Sequence, residues 1–353
     1  MYLWNYLANT EKAVVMYGMG NGADKILDVC DRYGVEVSDF FASDGFVRGQ
    51  IFHGKRVLKF SDITEKYGKD NVIVIVAFAS SLPDVMGQIL SVSKICETYV
   101  PDVPVKGTEI FNEEFEAANL NEIEKALSLL SDERSKEVFK GVWNYKRSGR
   151  LEDLLPTSDD RSEVMDSLLS LDEFRVAIDA GAYDGDTAKE LIGLCPKLER
   201  IFAFEPDRRN FRKLSAFAED QARVVPINAA VWSKNSTLIF DDSGNRNAGI
   251  DTDGKAKRHA EVKAVTIDSL SAERVDYIKY DVEGAEEEAL LGSVETIRKF
   301  RPDLLISAYH KTADLFKLIL MIHEICPEYQ LYLRRYPYIP AWDLNLIATV
   351  KKR

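Results

Sequence analysis

The stretch Val176-Ala-Ile-Asp-Ala-Gly-Ala-Tyr-Asp-Gly-Asp-Thr187 decides the fold of the second half of this 353-residue chain. Its apolar residues end at Asp179, which predicts a buried strand, and Gly181 predicts a turn before a helix. A second apolar run, Ile201-Phe-Ala-Phe-Glu205, follows and is stopped by Pro206. Two such strands, joined through a glycine turn and ending in acids, predict half of a nucleotide-binding α/β sheet.

The same pattern continues to the end of the chain. Strands are predicted at 176–180, 201–205, 223–227, 275–281, 303–309, 329–334 and 344–350. Thr237–Phe240 and Glu261–Ile267 predict an inserted hairpin. Since only a short loop separates the last two strands, we expect them to pair antiparallel. Five parallel strands followed by an antiparallel pair are typical of class I methyltransferases rather than of dehydrogenases.

Two further regions precede this sheet. Residues 1–112 alternate strands and helices, with the turn Gly18-Met-Gly-Asn-Gly22 after a first strand, and predict a small Rossmann-like domain. Residues 113–170 are charged and carry apolar side chains at helical spacing, which predicts a helical connector. The predicted fold is therefore α/β, with a seven-stranded mixed sheet over 171–353.

Composition excludes several classes of partner. A net charge of −12 and a pI near 5.0 disfavour nucleic acid and anionic membranes. The longest apolar run, Val72–Ala79, is far shorter than the roughly 20 residues of a spanning helix. The first residues lack a secretory signal, and four widely spaced cysteines suit a reducing compartment. We therefore expect a cytoplasmic protein. The sequence does not decide whether the protein forms a homodimer.

The loop after the first strand indicates the cofactor. Its glycine spacing differs from the dinucleotide fingerprint, and Asp184 and Asp186 would oppose a pyrophosphate. The two acids suit S-adenosylmethionine (SAM), which has no phosphate and carries an ammonium and a sulfonium. Gly181 would let the backbone approach the cofactor closely, and Thr187 would cap the helix or bind the methionine carboxylate.

A carboxylate at Glu205 would accept hydrogen bonds from both ribose hydroxyls. The alternatives are that Glu205 caps the next helix and that Asn228, expected near the adenine, is only a turn residue. The full set predicted to bind the cofactor is Asp179, Gly181, Ala182, Tyr183, Thr187, Glu205, Pro206, Asn228 and Asp281.

Several blocks of the chain resemble the FkbM family of SAM-dependent methyltransferases. They are Ile178–Thr187, Phe204–Asp207, Val265–Leu270, Asp276–Glu286, Ile306–Leu315 and Leu331–Arg335, with Leu130–Phe139 of the connector. The resemblance covers about residues 125 to 353, and Asp-Val-Glu-Gly-Ala-Glu286 is its most specific block. It implies methyl transfer to oxygen, often on sugars or polyketide-type hydroxyls. The loop Tyr336–Trp342 matches no family pattern, so the family does not define the acceptor.

Acids and a histidine at the ends of the fourth and fifth strands are the candidate catalytic residues. His310 or Asp281 is expected to accept the proton of the acceptor hydroxyl, and Glu283 to orient the acceptor. The alternatives are a structural His310 and acids at 283 and 286 that merely begin a helix. Asp281, Glu283 and His310 also suit Mg²⁺ or Mn²⁺, but no metal is predicted.

The N-terminal turn supports a second hypothesis. Gly18 to Gly22, with Asp44 further on, would suit a nucleotide-sugar or NAD-linked enzyme, or a binding module, with Arg48 or Lys55 meeting phosphate. The alternative is a docking domain with an empty crevice. The expected partner of the whole protein is a small acceptor, a sugar or nucleotide sugar.

Overall fold

The structure is a computed structural model that describes residues 1–241 and 259–350. The N-terminal unit comprises α1 (Leu3–Ala8), β1 (Ala13–Tyr17), α2 (Asn21–Tyr33), β2 (Val37–Phe41), β3 (Ile51–Phe52), β4 (Lys55–Arg56), α3 (Phe60–Tyr67), β5 (Val72–Val76), α4 (Pro83–Ser93) and β6 (Glu97–Tyr99). Its main sheet has the order β2-β1-β5-β6, and every pair is parallel. The Val/Ile run of β5 is buried throughout, as expected of a central parallel strand.

The connector consists of α5 (Glu113–Leu129), α6 (Glu133–Ser148), α7 (Leu151–Leu154) and α8 (Arg161–Leu168). Asp132 caps α6 by accepting a hydrogen bond from the Ser135 backbone N–H. The same carboxylate pairs with Arg334 at 2.5 Å. The connector is thereby fixed against the edge of the C-terminal sheet. It is helical, as predicted.

The C-terminal unit continues with β7 (Val176–Ala180), α9 (Asp186–Leu194), β8 (Arg200–Phe204), α10 (Arg208–Glu219), β9 (Val224–Ile227), β10 (Ala230–Val231), β11 (Ser236–Asp241), β12 (His259–Val265), β13 (Tyr277–Tyr280), α11 (Glu286–Leu291), α12 (Val294–Phe300), β14 (Asp303–Ser307), α13 (Asp314–Ile325), β15 (Gln330–Arg335) and β16 (Leu344–Thr349). The sheet order is β15-β16-β14-β13-β7-β8-β9. Only β16 runs antiparallel to its neighbours in this sheet.

This arrangement confirms the predicted α/β fold and the seven-stranded mixed sheet. The strands β11 and β12 pair antiparallel, which confirms the hairpin. The short strands β3, β4, β6 and β10 were not predicted, because two or three residues are too few for a visible periodicity. Across the part of the chain that the structure describes, no helix combines the length and apolar character needed to cross a membrane.

Candidate active site

The candidate active site is the crevice at the point where the strand order of the C-terminal sheet reverses, between β7 and β13. In open α/β sheets, ligands bind outside the carboxyl ends of the strands at such a point. Asp179 lies near the end of β7, and Asp281 follows β13 directly. The backbone N–H of Asp281 donates to the carbonyl oxygen of Ala180, which ties the two strand ends together.

A largely buried lysine, with 13% of its side chain exposed, lies between the two acids. Lys279 Nζ lies 3.6 Å from Asp179 Oδ1 and 3.5 Å from Asp281 Oδ2. Burial alone would lower the pKa of Lys279, but the two carboxylates outweigh burial and raise it. Burial raises the pKa of Asp179 to about 6, against the effect of Lys279. Lys279 therefore neutralises its neighbours, because residues two apart along a strand, such as 279 and 281, share one face of the sheet.

Asp179 is completely buried, and neither of its carboxylate oxygens has a hydrogen-bond partner among the described residues. Buried polar atoms are normally hydrogen-bonded, so an unpartnered carboxylate at a strand end is unusual. Because Asp179 lies at the crevice, its carboxylate is a candidate acceptor of a hydrogen bond from a bound ligand.

The loop after β7 requires glycine. Gly181 has φ +91°, and a Cβ on it would overlap the carbonyl oxygen of Asp281 on the adjacent strand. Its N–H and that of Ala182 both donate to Phe204 O, at 3.0 and 2.8 Å. Ala182 is fully buried, so this predicted cofactor residue supports the loop and its N–H is already used. Tyr183 follows at φ +48° with its ring half-exposed.

Glu205 lies just after β8, as predicted, and its carboxylate faces the loop. Oε2 accepts from Tyr183 N–H at 2.9 Å and Oε1 from Asp207 N–H at 2.8 Å. Burial, opposed by these two bonds, raises the pKa of Glu205 to about 7. Asp207, not Glu205, caps α10 by accepting from Arg209 and Asn210, which removes the helix-cap alternative for Glu205.

The remaining predicted cofactor residues are supports in this structure. Asn228 Nδ2 donates to Glu205 O at 2.8 Å and to Pro206 O at 3.2 Å, so it fixes the turn that carries the acid. Thr187 is buried in the first turn of α9, and its N–H bonds to Asp186 Oδ1.

A second cluster lies beside the first, around His310. This histidine is buried three residues past the end of β14. Its Nδ1 lies 3.0 Å from Glu286 Oε1, and its Nε2 lies 3.7 Å from Asp281 Oδ1 and from Glu283 Oε2. The structure thus brings together all three predicted catalytic residues.

Glu286 is the residue whose contribution the sequence analysis left open. It begins α11, as the alternative predicts, but its Oε1 also accepts from Val282 and Gly284 N–H at 3.0 and 3.3 Å. That oxygen faces His310 as well, so one buried carboxylate holds both the turn and the imidazole. The only sequence signal for Glu286 was a second Glu soon after Gly284. Such a pattern does not predict a contact with His310, which lies in a distant segment of the chain.

The charges of the cluster depend on these contacts. Burial alone would lower the pKa of His310, but Glu286, Glu283 and Asp281 outweigh it and raise the pKa to about 10. Burial raises the pKa of Asp281, but Lys279 and His310 more than reverse this, so its pKa is lowered. Burial raises the pKa of Glu283. At neutral pH the site therefore contains an imidazolium beside an ionised Asp281.

Asp281, Glu286 and His310 each offer one ligand atom within 4.8 Å of the others. The geometric group therefore contains Glu286, whereas the sequence suggested Glu283 as the third residue of a possible metal site without predicting a metal. Because Glu286 Oε1 already accepts two backbone hydrogen bonds and Lys279 balances Asp281, we interpret the cluster as an ion-pair network.

Half-buried aromatic rings line the cluster on one side. The ring of Tyr309 lies 4.2 Å from the His310 ring and stacks on Trp342 at 6.4 Å between centroids. Trp342 contacts Tyr338 at 5.7 Å. Tyr338 and Trp342 belong to the loop Tyr336–Trp342, whose composition matched no family pattern. The structure places this loop beside the candidate catalytic residues.

Arg335 anchors that loop. It is buried to 1% exposure and donates to the carbonyl oxygens of Leu154, Tyr336 and Tyr338 at 2.7–3.2 Å. Burial lowers the pKa of Arg335 to about 10. The connector and the aromatic loop are therefore joined through one guanidinium.

We expect Arg335→Met to lower the free energy of unfolding by about 3 kcal/mol or more, because it leaves buried carbonyl groups without donors. Urea unfolding followed by circular dichroism measures the change. Arg212→Met, on the exposed face of α10, is the matched control and should leave the midpoint unchanged. Equal midpoints for both variants would show that the anchor is dispensable.

The N-terminal crevice differs from its prediction in one respect. Lys55 Nζ donates to Val37 O and Ser38 O at 2.8 Å, so it supports the edge of β2 and does not meet a phosphate at the glycine turn. Arg48 is exposed. Gly18 and Gly20 have φ +119° and +104°, which explains the glycines of the turn.

Comparison with known proteins shows which families and structures this chain resembles. Residues 179–338 match the family model of the methyltransferase FkbM domain. No curated protein matches the chain. The crystal structure of methyltransferase FkbM from Methylobacillus flagellatus KT has 20% sequence identity, covers 96% of this chain and 90% of its own, and gives a TM-score of 0.73. At this identity the similarity establishes the fold.

Two more distant structures cover about half of the chain. Aeropyrum pernix fibrillarin in complex with natively bound SAM is 15% identical, with 51% of this chain and 69% of that chain covered and a TM-score of 0.33. A putative methyltransferase from Streptococcus mutans in complex with SAH is 14% identical, with 53% and 94% covered and a TM-score of 0.32.

Proposed function

Because residues 179–338 are a methyltransferase FkbM domain, we propose that the protein transfers a methyl group from SAM to a hydroxyl group of a sugar or a similar small acceptor. One observation carries the proposal. One crevice contains a buried carboxylate with no hydrogen-bond partner among the described residues, a glycine that packs its loop against Asp281 and a strand-end glutamate, and an acid–histidine cluster adjoins it.

The residues of the crevice suit SAM in charge and shape. Asp179, with no hydrogen-bond partner among the described residues, would accept from the ammonium of the methionine part. Gly181 brings its loop against the backbone carbonyl of Asp281, beside the position proposed for the cofactor. Each oxygen of Glu205 accepts one backbone hydrogen bond and keeps capacity for a ribose hydroxyl. When bound, SAM supplies a methyl group already activated by the sulfonium.

The cluster around His310 would prepare the acceptor. Since the raised pKa keeps His310 protonated at neutral pH, a carboxylate is the better proton acceptor. We assign that role to Asp281, because its backbone carbonyl contacts Gly181 of the cofactor loop while its side chain faces His310. His310 would then hold Asp281 electrostatically, and Glu283 would orient the acceptor. A base at this position contributes about 10²–10⁴-fold to the rate.

The aromatic rings support the choice of acceptor. A sugar ring presents apolar C–H faces and polar edges, so it suits half-buried aromatic side chains beside carboxylates. Tyr309, Tyr338 and Trp342 would contact such a face next to Asp281 and Glu283.

Titration calorimetry with SAM and with S-adenosylhomocysteine (SAH) tests the cofactor, and SAH release tests transfer to methyl glycosides and nucleoside-diphosphate sugars. We expect saturable binding of both and release of SAH with at least one acceptor. If neither compound binds, the proposed function is wrong.

Glu205→Gln is expected to weaken SAH binding about 10-fold or more, because it removes a charged acceptor of hydrogen bonds. The raised pKa of Glu205 gives a sign to the pH dependence. As pH falls through about 7 the carboxylate gains a proton and loses acceptor capacity, so wild-type affinity should fall by up to about tenfold per unit.

Calorimetry between about pH 6.5 and pH 8.5, above the pKa of about 6 that burial gives Asp179, measures this slope, which should be much smaller in Glu205→Gln. Glu219→Gln, at the exposed end of α10, controls for the loss of one negative charge. A wild-type affinity that is flat over this range would argue against a role for Glu205 in binding.

A further inference from the structure

Asp343 lies where the aromatic loop returns to the C-terminal sheet, directly before β16. The strands β14 and β16 pair antiparallel, and Ala308 N–H continues this pairing by donating to Leu344 O at 2.8 Å. The next step of the same register places Asp343 opposite Tyr309, the residue before His310. Asp343 is therefore at the carboxyl end of β14, beside the cluster that contains the proposed base.

The backbone of Asp343 is in the left-handed region, with φ +59°. Its carbonyl oxygen accepts hydrogen bonds from Tyr336 N–H at 3.0 Å and from Asn345 Nδ2 at 2.9 Å. The same Asn345 amide donates to Asp343 Oδ1 at 3.1 Å. These bonds fix the turn and use one carboxylate oxygen. Since asparagine is as enriched in this conformation as aspartate, the turn does not require the negative charge.

The other carboxylate oxygen of Asp343, Oδ2, has no hydrogen bond or ion pair among the residues that the structure describes, and the residue is half-buried. The two cations that act on its pKa are engaged with other acids. Arg161 donates two hydrogen bonds to Glu190, at 2.9 and 2.8 Å, and Lys279 lies between the two strand-end acids. Oδ2 is therefore available to accept a hydrogen bond from a ligand.

Asp343 also acts electrostatically on the residues of the candidate active site. Burial raises the pKa of Asp343, and the charge of Asp281 adds to this rise against the effect of Asn345 and of the two cations. Burial likewise raises the pKa of Tyr309, and the charges of four acids, Asp343 among them, act in the same direction. Asp343 therefore lies within electrostatic range of both the proposed base and the ring of Tyr309.

The rings of Tyr309 and Trp342 supply an apolar surface in the same region. They stack at 6.4 Å between centroids, with their planes 27° apart, and both residues are half-buried. Trp342 precedes Asp343 in the chain, and Tyr309 lies opposite it across the strand pair. An aromatic surface with a carboxylate at its edge suits a ligand that has an apolar face and polar edges, as a sugar ring does.

We propose that Asp343 determines acceptor specificity by accepting a hydrogen bond from a second hydroxyl of the acceptor, beside the hydroxyl that faces Asp281. The acceptor class that follows is a sugar ring with at least two free hydroxyls, whose C–H face lies on Tyr309 and Trp342. The proposal rests on the proposed function and adds a residue outside the matched family domain, 179–338. Because a hydroxyl that donates to a carboxylate forms a charge-assisted hydrogen bond, loss of either partner should weaken binding.

Calorimetry on the full chain saturated with SAH tests this role, with methyl α-glucoside, methyl α-mannoside, methyl α-galactoside and UDP-glucose as separate probes. We expect saturable binding of at least one probe, weakened about tenfold or more in Asp343→Gly and about fivefold in Asp343→Asn. Glycine and asparagine both suit the left-handed φ, so each variant should keep the turn. Asp220→Asn, at the exposed end of α10, should behave as wild type.

Monodeoxy derivatives of the bound probe separate a contact with a hydroxyl from an effect on the turn. The derivative that lacks the hydroxyl bound by Asp343 should bind equally to the wild type and to Asp343→Asn, while the others keep the difference of about fivefold. If every derivative keeps that difference, the proposal is overturned.

The remaining outcomes are equally decisive. No saturable binding of any probe to the wild type, or wild-type affinity in Asp343→Gly, overturns the proposal. The SAH titration is measured on every variant and reports folding, so Asp343→Asn decides if Asp343→Gly does not bind SAH. A wild type that fails to bind SAH overturns the proposed function instead.

Discussion

Asp281→Asn is expected to lower the rate of methyl transfer by about 10²–10⁴-fold while the affinity for SAH stays within about threefold. The amide keeps the size of the side chain but cannot take the acceptor proton. Lys279 and His310 lower the pKa of Asp281, so the wild-type carboxylate is ionised at neutral pH and ready to act. SAH release under single-turnover conditions measures the chemical step.

Two further variants serve as controls for this prediction. Glu287→Gln, exposed on α11, removes a nearby negative charge away from the cluster and should leave the rate unchanged. His310→Gln should lower the rate without abolishing it, because the imidazolium holds Asp281 and does not take the proton. If instead Asp281→Asn keeps the wild-type rate and His310→Gln loses it, the imidazole is the base.

Gly181→Ala is expected to abolish measurable SAH binding and to lower the free energy of unfolding by about 3 kcal/mol or more. The left-handed φ of +91° strains alanine, and its Cβ would overlap Asp281 O and lie 2.8 Å from Asp281 C. Neither neighbour is a flexible side chain, so β7 and β13 would have to separate. That shift displaces both Asp179 and Asp281.

The control for this prediction is Gly193→Ala. Gly193 lies in α9 with no atom within 4 Å of an added Cβ, so alanine there should be neutral or stabilise the helix slightly. Urea unfolding and SAH calorimetry on both variants separate a general glycine effect from a local one. Wild-type affinity in Gly181→Ala would mean that the loop does not approach the cofactor.

Much of the C-terminal sheet was predictable because its signals are local. Asp179 is the last residue but one of β7 and Glu205 directly follows β8, and each strand has the length and apolar character that periodicity requires. Positions at strand ends follow from the chain itself, since parallel strands bring their carboxyl ends to one edge.

Contacts between distant segments were not predictable in this way. The predicted cofactor residues Ala182 and Asn228 turned out to have bonds to Phe204, Glu205 and Pro206, which depend on how β7, β8 and β9 pair. The partner of His310 Nδ1 is Glu286 on another element, and the sequence analysis could name it only as an acid that begins a helix.

The amino-acid sequence by itself determined the order of the elements, the glycine turns and the residue types at the strand ends, because backbone propensity and side-chain alternation act over a few neighbouring residues. The tertiary structure decided which of these groups meet. It set Glu286 against His310, Lys106 over Gly284 and Arg335 beneath the aromatic loop. Those pairings, and the charges that they impose, arise only when packing brings remote segments into one low-dielectric space.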